Sequence, residues 1–261
     1  MPIRNGFRTL TPYPIVQNVP GMVAFMKQVF GAEETFRAVG SAGGYHGEVR
    51  VGDSMMMIGG GGPDVSWFGE SHPMAFHIYV PDVDATYHRA LAAGAVSLQA
   101  PANQPWGERT ANVKDPFGNN WYMATFQGDN YYSEGAPTIQ PYLHPVESGP
   151  VIDFLERAFG AVETGRATSP QGAVLHTTVK IGDAAMEFFD AAGIYQPMPG
   201  MFYLYVPDVD AVYRTAIEAG GTSLSEPTDQ PYGDRVGGVK DAFGNTWYVA
   251  TCVEQGIRAK E

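Results

Sequence analysis

The sequence contains one cysteine, Cys252, among 261 residues. An intramolecular disulfide and a Cys-x-x-Cys metal site are therefore excluded, and Cys252, at the end of an expected strand, reads as a small core residue. Positive charge is also scarce: 16 Lys and Arg stand against 28 Asp and Glu, a formal net charge of −12. Phosphate binding requires clustered Lys and Arg, so nucleic acid is not an expected partner, and neither is an anionic membrane surface. The acidity reads as solubility. No apolar run reaches transmembrane length, and the opening MPIRNGFRTLTPYP lacks the apolar stretch of a signal peptide. The expected location is the cytoplasm. Apolar residues make up 44% of the chain, enough for a packed core.

What the sequence does contain is a repeat. Pro105 to Thr125, PWGERTANVKDPFGNNWYMAT, recurs as Pro231 to Thr251, PYGDRVGGVKDAFGNTWYVAT. Tyr79 to Ala85 and Tyr205 to Ala211 are both YVPDVDA. Tyr142 answers Tyr13, Phe159-Gly160-Ala161 answers Phe30-Gly31-Ala32, and Ile181-Gly182-Asp183 answers Val51-Gly52-Asp53. Self-similarity over nearly the whole chain means one design written twice. The expected halves are residues 1–127 and 138–253, joined by a polar linker at 128–137 and followed by a tail at 254–261.

Each half reads as two strand–helix–three-strand units. Thr9 to Val16 has strand character, with Pro12 and Pro14 suiting an edge. Asn18 then offers a helix cap, Pro20 a first-turn residue and Gly31 a stop around an apolar stripe. Strands follow at Glu34 to Val39, Tyr45 to Val51 and Ser54 to Ile58. A second unit runs from Ala75 to Phe126, its helix capped by Asp82, its last strands joined by the turn Asp115-Pro116-Phe117-Gly118. The Gly59 to Pro63 run has no following Lys-Ser/Thr and opens no helix, so it reads as a flexible linker or pocket lid rather than a nucleotide loop.

Paired βαβββ units with V-x-D-V-D-A opening the second helix and D-P-F-G-N-x-W before the last strand resemble the vicinal oxygen chelate superfamily, the glyoxalase, bleomycin-resistance and extradiol-dioxygenase group. The Phe-Gly-Ala after the first helix resembles its PhnB-like subgroup. The resemblance implies an α+β fold of tandem glyoxalase-like domains, sheets curled around a cup with helices outside. Metal-using relatives carry His, Gln or Glu at four strand positions. These carry over to Thr11, Met57, Ala75 and Tyr122 in one half, and to Gln140, Glu187, Met201 and Tyr248 in the other. Neither set suits a divalent ion, which prefers imidazole and carboxylate, so no cofactor is expected. A divalent metal held in the second half by Glu187, His144 and His176 is the alternative.

Strand alternation puts His46, Glu48 and Arg50 on one face and Val49 and Val51 on the other. Aromatic and polar residues carry the binding signal: Tyr13, His46, Met57, Trp106 and Tyr122 in the first half, Gln140, Tyr142, His176, Tyr232 and Tyr248 in the second. Tyrosine and tryptophan give a pocket an apolar wall with a hydrogen-bonding tip. Arg109 with Glu108, and Arg235 with Asp234, read as loop-fixing pairs, with a clamp on a ligand carboxylate as the alternative. His72, His77 and His88 show no ligand spacing. Two functions stay open: a binding module that sequesters or carries a small, partly aromatic ligand, and a lyase, isomerase or dioxygenase that uses a metal or, as proton-transfer groups, Glu187 and His144. Four units suffice for two cups in one chain, so a monomer is expected, with a homodimer as the alternative.

Overall fold

The computed structural model describes residues 3–40, 43–65, 67–132 and 135–254. In the first repeat the elements are β1 (Leu10–Pro12), β2 (Ile15–Val16), α1 (Val19–Phe30), β3 (Glu33–Val39), β4 (Tyr45–Val51), β5 (Ser54–Gly60), β6 (Ala75–Tyr79), α2 (Val83–Ala92), β7 (Val96–Asn103), β8 (Glu108–Lys114) and β9 (Asn120–Phe126). The second repeat supplies β10 (Ile139–Leu143), α3 (Ser148–Phe159), β11 (Val162–Thr168), β12 (Val174–Ile181), β13 (Ala184–Phe188), β14 (Met201–Tyr205), α4 (Val209–Glu218), β15 (Thr222–Asp229), β16 (Asp234–Lys240) and β17 (Thr246–Cys252). The expected strand Thr9 to Val16 is interrupted at Tyr13-Pro14, where proline has no amide to give a ladder. None of the described helices is long and apolar enough to cross a membrane.

The helix boundaries follow the local chemistry. Asn18 accepts from the Gly21 amide at 3.0 Å, and Gly31 ends α1 in the left-handed conformation at φ 67°. Asp82 and Asp208 cap α2 and α4 through the Ala85 and Ala211 amides. Arg89 of α2 donates to the Val29 carbonyl, tying α2 to α1; Arg157 of α3 donates to the Ala219 carbonyl just past α4.

The chain forms two compact units, residues 14–141 and residues 1–13 with 142–261. They do not coincide with the sequence repeats, because β1 of the first repeat pairs with β14 and Ile139–Pro141 of the second repeat pairs with β6. In the unit of residues 14–141, Ile139–Pro141 of β10 pairs antiparallel with β6, and the sheet continues through β9, β8 and β7. A second sheet runs β2-β5-β4-β3. In the other unit β1 pairs with β14 and the sheet continues through β17, β16 and β15. There Tyr142 and Leu143 pair parallel with β13, followed by β12 and β11.

The Gly-Asp turns hold these edge strands. The Thr9 amide donates to Asp183 Oδ1 at 2.8 Å, and the Thr138 amide donates to Asp53 Oδ1 at 2.8 Å. The Gly59 to Pro63 run is not a linker. Gly60 ends β5 beside Val16 at φ 127°, where a Cβ would fall 1.9 Å from the Val16 carbonyl oxygen. Glycine is needed there for close backbone approach.

One face of each sheet packs on a helix. Phe30 at the end of α1 meets Trp121 at 4.6 Å, and Trp121 meets Phe76 at 4.7 Å. Phe159, Trp247 and Phe202 repeat the arrangement. Both indoles are anchored by a buried acid: Trp121 donates to Asp115 Oδ2 at 2.9 Å and Trp247 to Asp241 Oδ2 at 3.1 Å. The turn aspartate is thus also a core hydrogen-bond hub, accepting from the Phe117 and Asn119 amides as well.

Candidate functional site

Because side chains alternate along a strand, Tyr122 and Tyr248 point away from the helix face that Trp121 and Trp247 occupy. Directly paired residues share a face, so register extends this position across all five strands. In the unit of residues 14–141 the row is Gln140, His77, Tyr122, Asn112 and Gln99. Asn112 Nδ2 donates to Gln99 Oε1 at 3.0 Å. The equivalent row in the other unit is Thr11, Tyr203, Tyr248, Gly238 and Ser225. Each unit therefore carries a polar row on its helix-free sheet face.

On the same sheet face, four residues before Asn112 and before Gly238, stands a carboxylate that gathers donors. Tyr79 donates to Glu108 Oε1 and Trp106 Nε1 to Glu108 Oε2, both at 2.9 Å. In the other unit Tyr203 and Tyr205 both donate to Asp234 Oδ2, at 2.7 and 3.0 Å. Tyr232 lies close enough to Tyr203 and Asp234 to feel both, and Tyr13 reaches Tyr248 at 6.2 Å between ring centroids. Burial holds Tyr203, Tyr205, Tyr232 and Tyr248 above the usual phenol range, with the Asp234 charge adding to the effect on the first three. All four are phenols at neutral pH.

The smaller sheets each carry a histidine–glutamate pair. His46 Nε2 lies 3.2 Å from Glu48 Oε1, and Met57 is the Cα partner of Glu48. His176 Nε2 lies 3.3 Å from Glu187 Oε2. Glu187 is the Cα partner of Thr178 and of Tyr142, whose ring approaches His176 at 6.2 Å. The carboxylate sits on β4 in one repeat and on the neighbouring ladder strand β13 in the other, and the histidine finds it in both. The strand ladder brings both positions within reach.

Several expectations are corrected. His144 does not join His176 and Glu187 as a metal set: among the described residues no three of His, Cys, Asp or Glu are grouped to hold an ion. It is fully buried between the rings of Tyr142, Phe189 and Tyr195, at 5.1, 4.2 and 5.9 Å. Burial lowers its pKa to about 3. The two sets of four aligned positions are also regrouped, since Thr11 lies beside Tyr203 and Gln140 beside His77. Tyr13 accordingly belongs with Tyr248 rather than with Met57.

Arg109 does not pair with Glu108, nor Arg235 with Asp234. Adjacent strand residues point to opposite faces, and the guanidiniums instead grip Asp84 and Asp210 on the helices. These hydrogen bonds hold both aspartates below the usual carboxylate range. Trp106 is largely exposed, whereas its counterpart Tyr232 is mostly covered. Sequence reasoning missed His77, Tyr203 and Asp234. Their signal was the second repeat of Phe76-x-x-Tyr79 and of Gly-acid-Arg, combined with strand alternation.

A profile described as the Glyoxalase/Bleomycin resistance protein/Dioxygenase superfamily matches residues 14–123 and 150–249. The chain belongs to this superfamily. It is 32% identical over 144 residues to an uncharacterized protein of Mycobacterium tuberculosis, covering 49% of this chain and 82% of the relative. Glyoxalase I from Zea mays superposes with a TM-score of 0.73 at 16% identity, covering 94% of this chain and 92% of that one. A putative dioxygenase from Bacillus subtilis gives 0.63 at 13% identity, covering 97% and 87%. These two likenesses establish the fold.

Proposed function

We propose that the protein binds a small, partly aromatic molecule on its helix-free sheet faces and sequesters or carries it, without the superfamily's metal. The observation that carries this reading is the pair of five-strand polar rows, with Tyr122 at the middle of one and Tyr248 at the middle of the other. Phenol rings provide apolar area with a polar tip, and the flanking amides and hydroxyls supply orientation. The donor chemistry does not fit the superfamily's metal: the aligned positions offer threonine, methionine, alanine, tyrosine, one glutamine and one glutamate. Titration of a library of flat heterocycles, followed by protein-observed NMR, tests the reading. Tyr122→Ala and Tyr248→Ala are expected to weaken binding about tenfold each at their own unit. Retained affinity in both variants would overturn it.

A second reading, a metal-free enzyme, rests on the His176–Glu187 contact. A carboxylate paired with imidazole on a ligand-facing sheet could accept a substrate proton, with His176 positioning it. Turnover of a bound ligand that is abolished by Glu187→Gln while affinity is retained would favour this reading over the first.

A further inference from the structure

The carboxylates Glu108 and Asp234 are not equivalent. Glu108 has a donor on each oxygen. Asp234, shorter by one methylene, draws both Tyr203 and Tyr205 onto Oδ2, while its Oδ1 is buried and accepts from no N–H or O–H group; the Cys252 thiol on its cross-strand partner is a weak donor beside the carboxylate. Asp234 is only 1% exposed. The hydroxyl of Thr11, the cross-strand partner of Tyr203, is likewise buried without a partner. A buried carboxylate oxygen without a donor costs free energy unless something supplies one.

The surroundings indicate which donor suits it. Tyr203, Tyr205 and Tyr232 lie around Asp234 as phenols, with Tyr203 and Tyr205 at 5.1 Å between ring centroids, and Tyr248 lies near Tyr232. Aromatic faces attract cations, and more strongly where water is excluded. Positive charge is already accommodated nearby. The Arg4 guanidinium lies 4.2 Å over Phe7, Phe7 contacts Tyr205, and the Arg4 charge acts on Tyr205 and Tyr232. At the equivalent places the other unit has His77 and Trp106, and a saturated Glu108.

We propose that the unit of residues 1–13 and 142–261 selects an organic cation, an amine or amidine on a flat apolar body, whose N–H group donates to Asp234 Oδ1 while the tyrosine faces enclose the charge. This rests on the ligand-binding reading above and adds the ligand class and the anchoring atom. The other unit, with both oxygens of its acid satisfied, does not share the preference.

Three probes of one size separate the outcomes: benzamidinium, neutral acetophenone and anionic benzoate, measured by ligand-observed and tyrosine-ring NMR on the full chain. Benzamidinium is expected to bind about tenfold tighter than acetophenone, with benzoate weakest. Asp234→Asn should bring benzamidinium affinity down to that of acetophenone in the same variant, and Glu156→Gln, which removes an exposed charge on α3, should leave both affinities as they are. Equal binding of benzamidinium and acetophenone would overturn the inference and leave the broader binding reading standing. Failure of all three probes would overturn the inference, and the heterocycle library then decides the broader reading. If Asp234→Asn does not fold, ring shifts in the unaltered protein decide. Benzamidinium shifts confined to Tyr203, Tyr205, Tyr232 and Tyr248 support the site, and shifts centred on Tyr79 and Tyr122 overturn it.

Discussion

Thr9 and Asp183, 174 positions apart, clasp each other: the Thr9 amide donates to Asp183 Oδ1 at 2.8 Å, and the Asp183 amide points back at Thr9 Oγ1 at 3.5 Å. Thr138 and Asp53 make the same clasp with the same two distances. Each holds an edge strand to a Gly-Asp turn of its own compact unit. Asp183→Ala and Asp53→Ala are each expected to cost about 1–2 kcal/mol, read as a lower urea midpoint with little change in slope. Hydrogen exchange should accelerate selectively in β1 for the first variant and in β10 for the second. Uniform acceleration would contradict a local clasp.

His144 gives the fold an acid-sensitive component. Its folded pKa is lowered to about 3 from 6.5, so between those values the unfolded chain binds a proton that the folded chain does not. Stability then falls as pH drops from 6.5 toward 3, by about 1.4 kcal/mol per unit, and this contribution is flat above 6.5. His144→Phe, suited to a site walled by Tyr142, Phe189 and Tyr195, should flatten the stability curve between pH 6.5 and 5. An unchanged slope would show that other groups carry it.

Gly60→Ala should destabilise the protein by at least about 2 kcal/mol, because both the positive φ and the Val16 carbonyl oppose a side chain. Gly31→Ala faces strain from φ alone, with nothing within 4 Å of its added Cβ, and should cost less. Thermal midpoints of the two variants test the order.

The proposed metal independence has a direct check. Elemental analysis of protein purified without chelator should find no stoichiometric divalent ion, and exhaustive chelation should leave the thermal midpoint and ligand affinity unchanged. An ion lost together with the Glu187 carboxylate in Glu187→Ala would overturn the proposal.

Much of the fold was legible because its signals are local. Asn18, Pro20 and Gly31 bracket α1 in sequence as they do in space, and Asp82 caps α2, since capping involves residues a few positions apart. Alternation separates Tyr122 and Tyr248 from the tryptophans beside them in sequence. It could not give partners. Arg109 has Glu108 beside it in sequence, yet its carboxylate is Asp84, 25 positions earlier. Nor did His77 announce itself, because its place in a row depends on β9 and β10 lying on either side.

The sequence by itself determined the duplication, the βαβββ order, the turns, and the faces on which polar and aromatic residues lie. These follow from periodicity and from hydrogen bonds that close within a few residues. Only the tertiary structure decided that β1 joins β14 and β10 joins β6, that Glu187 meets His176 while His144 is sealed among rings, and that Glu108 has a donor on each oxygen while both tyrosines crowd one oxygen of Asp234. Strand edges carry no address: any backbone amide can pair with any carbonyl. Which edge is filled, and which carboxylate oxygen gathers the donors, is settled by contacts between residues far apart in the chain.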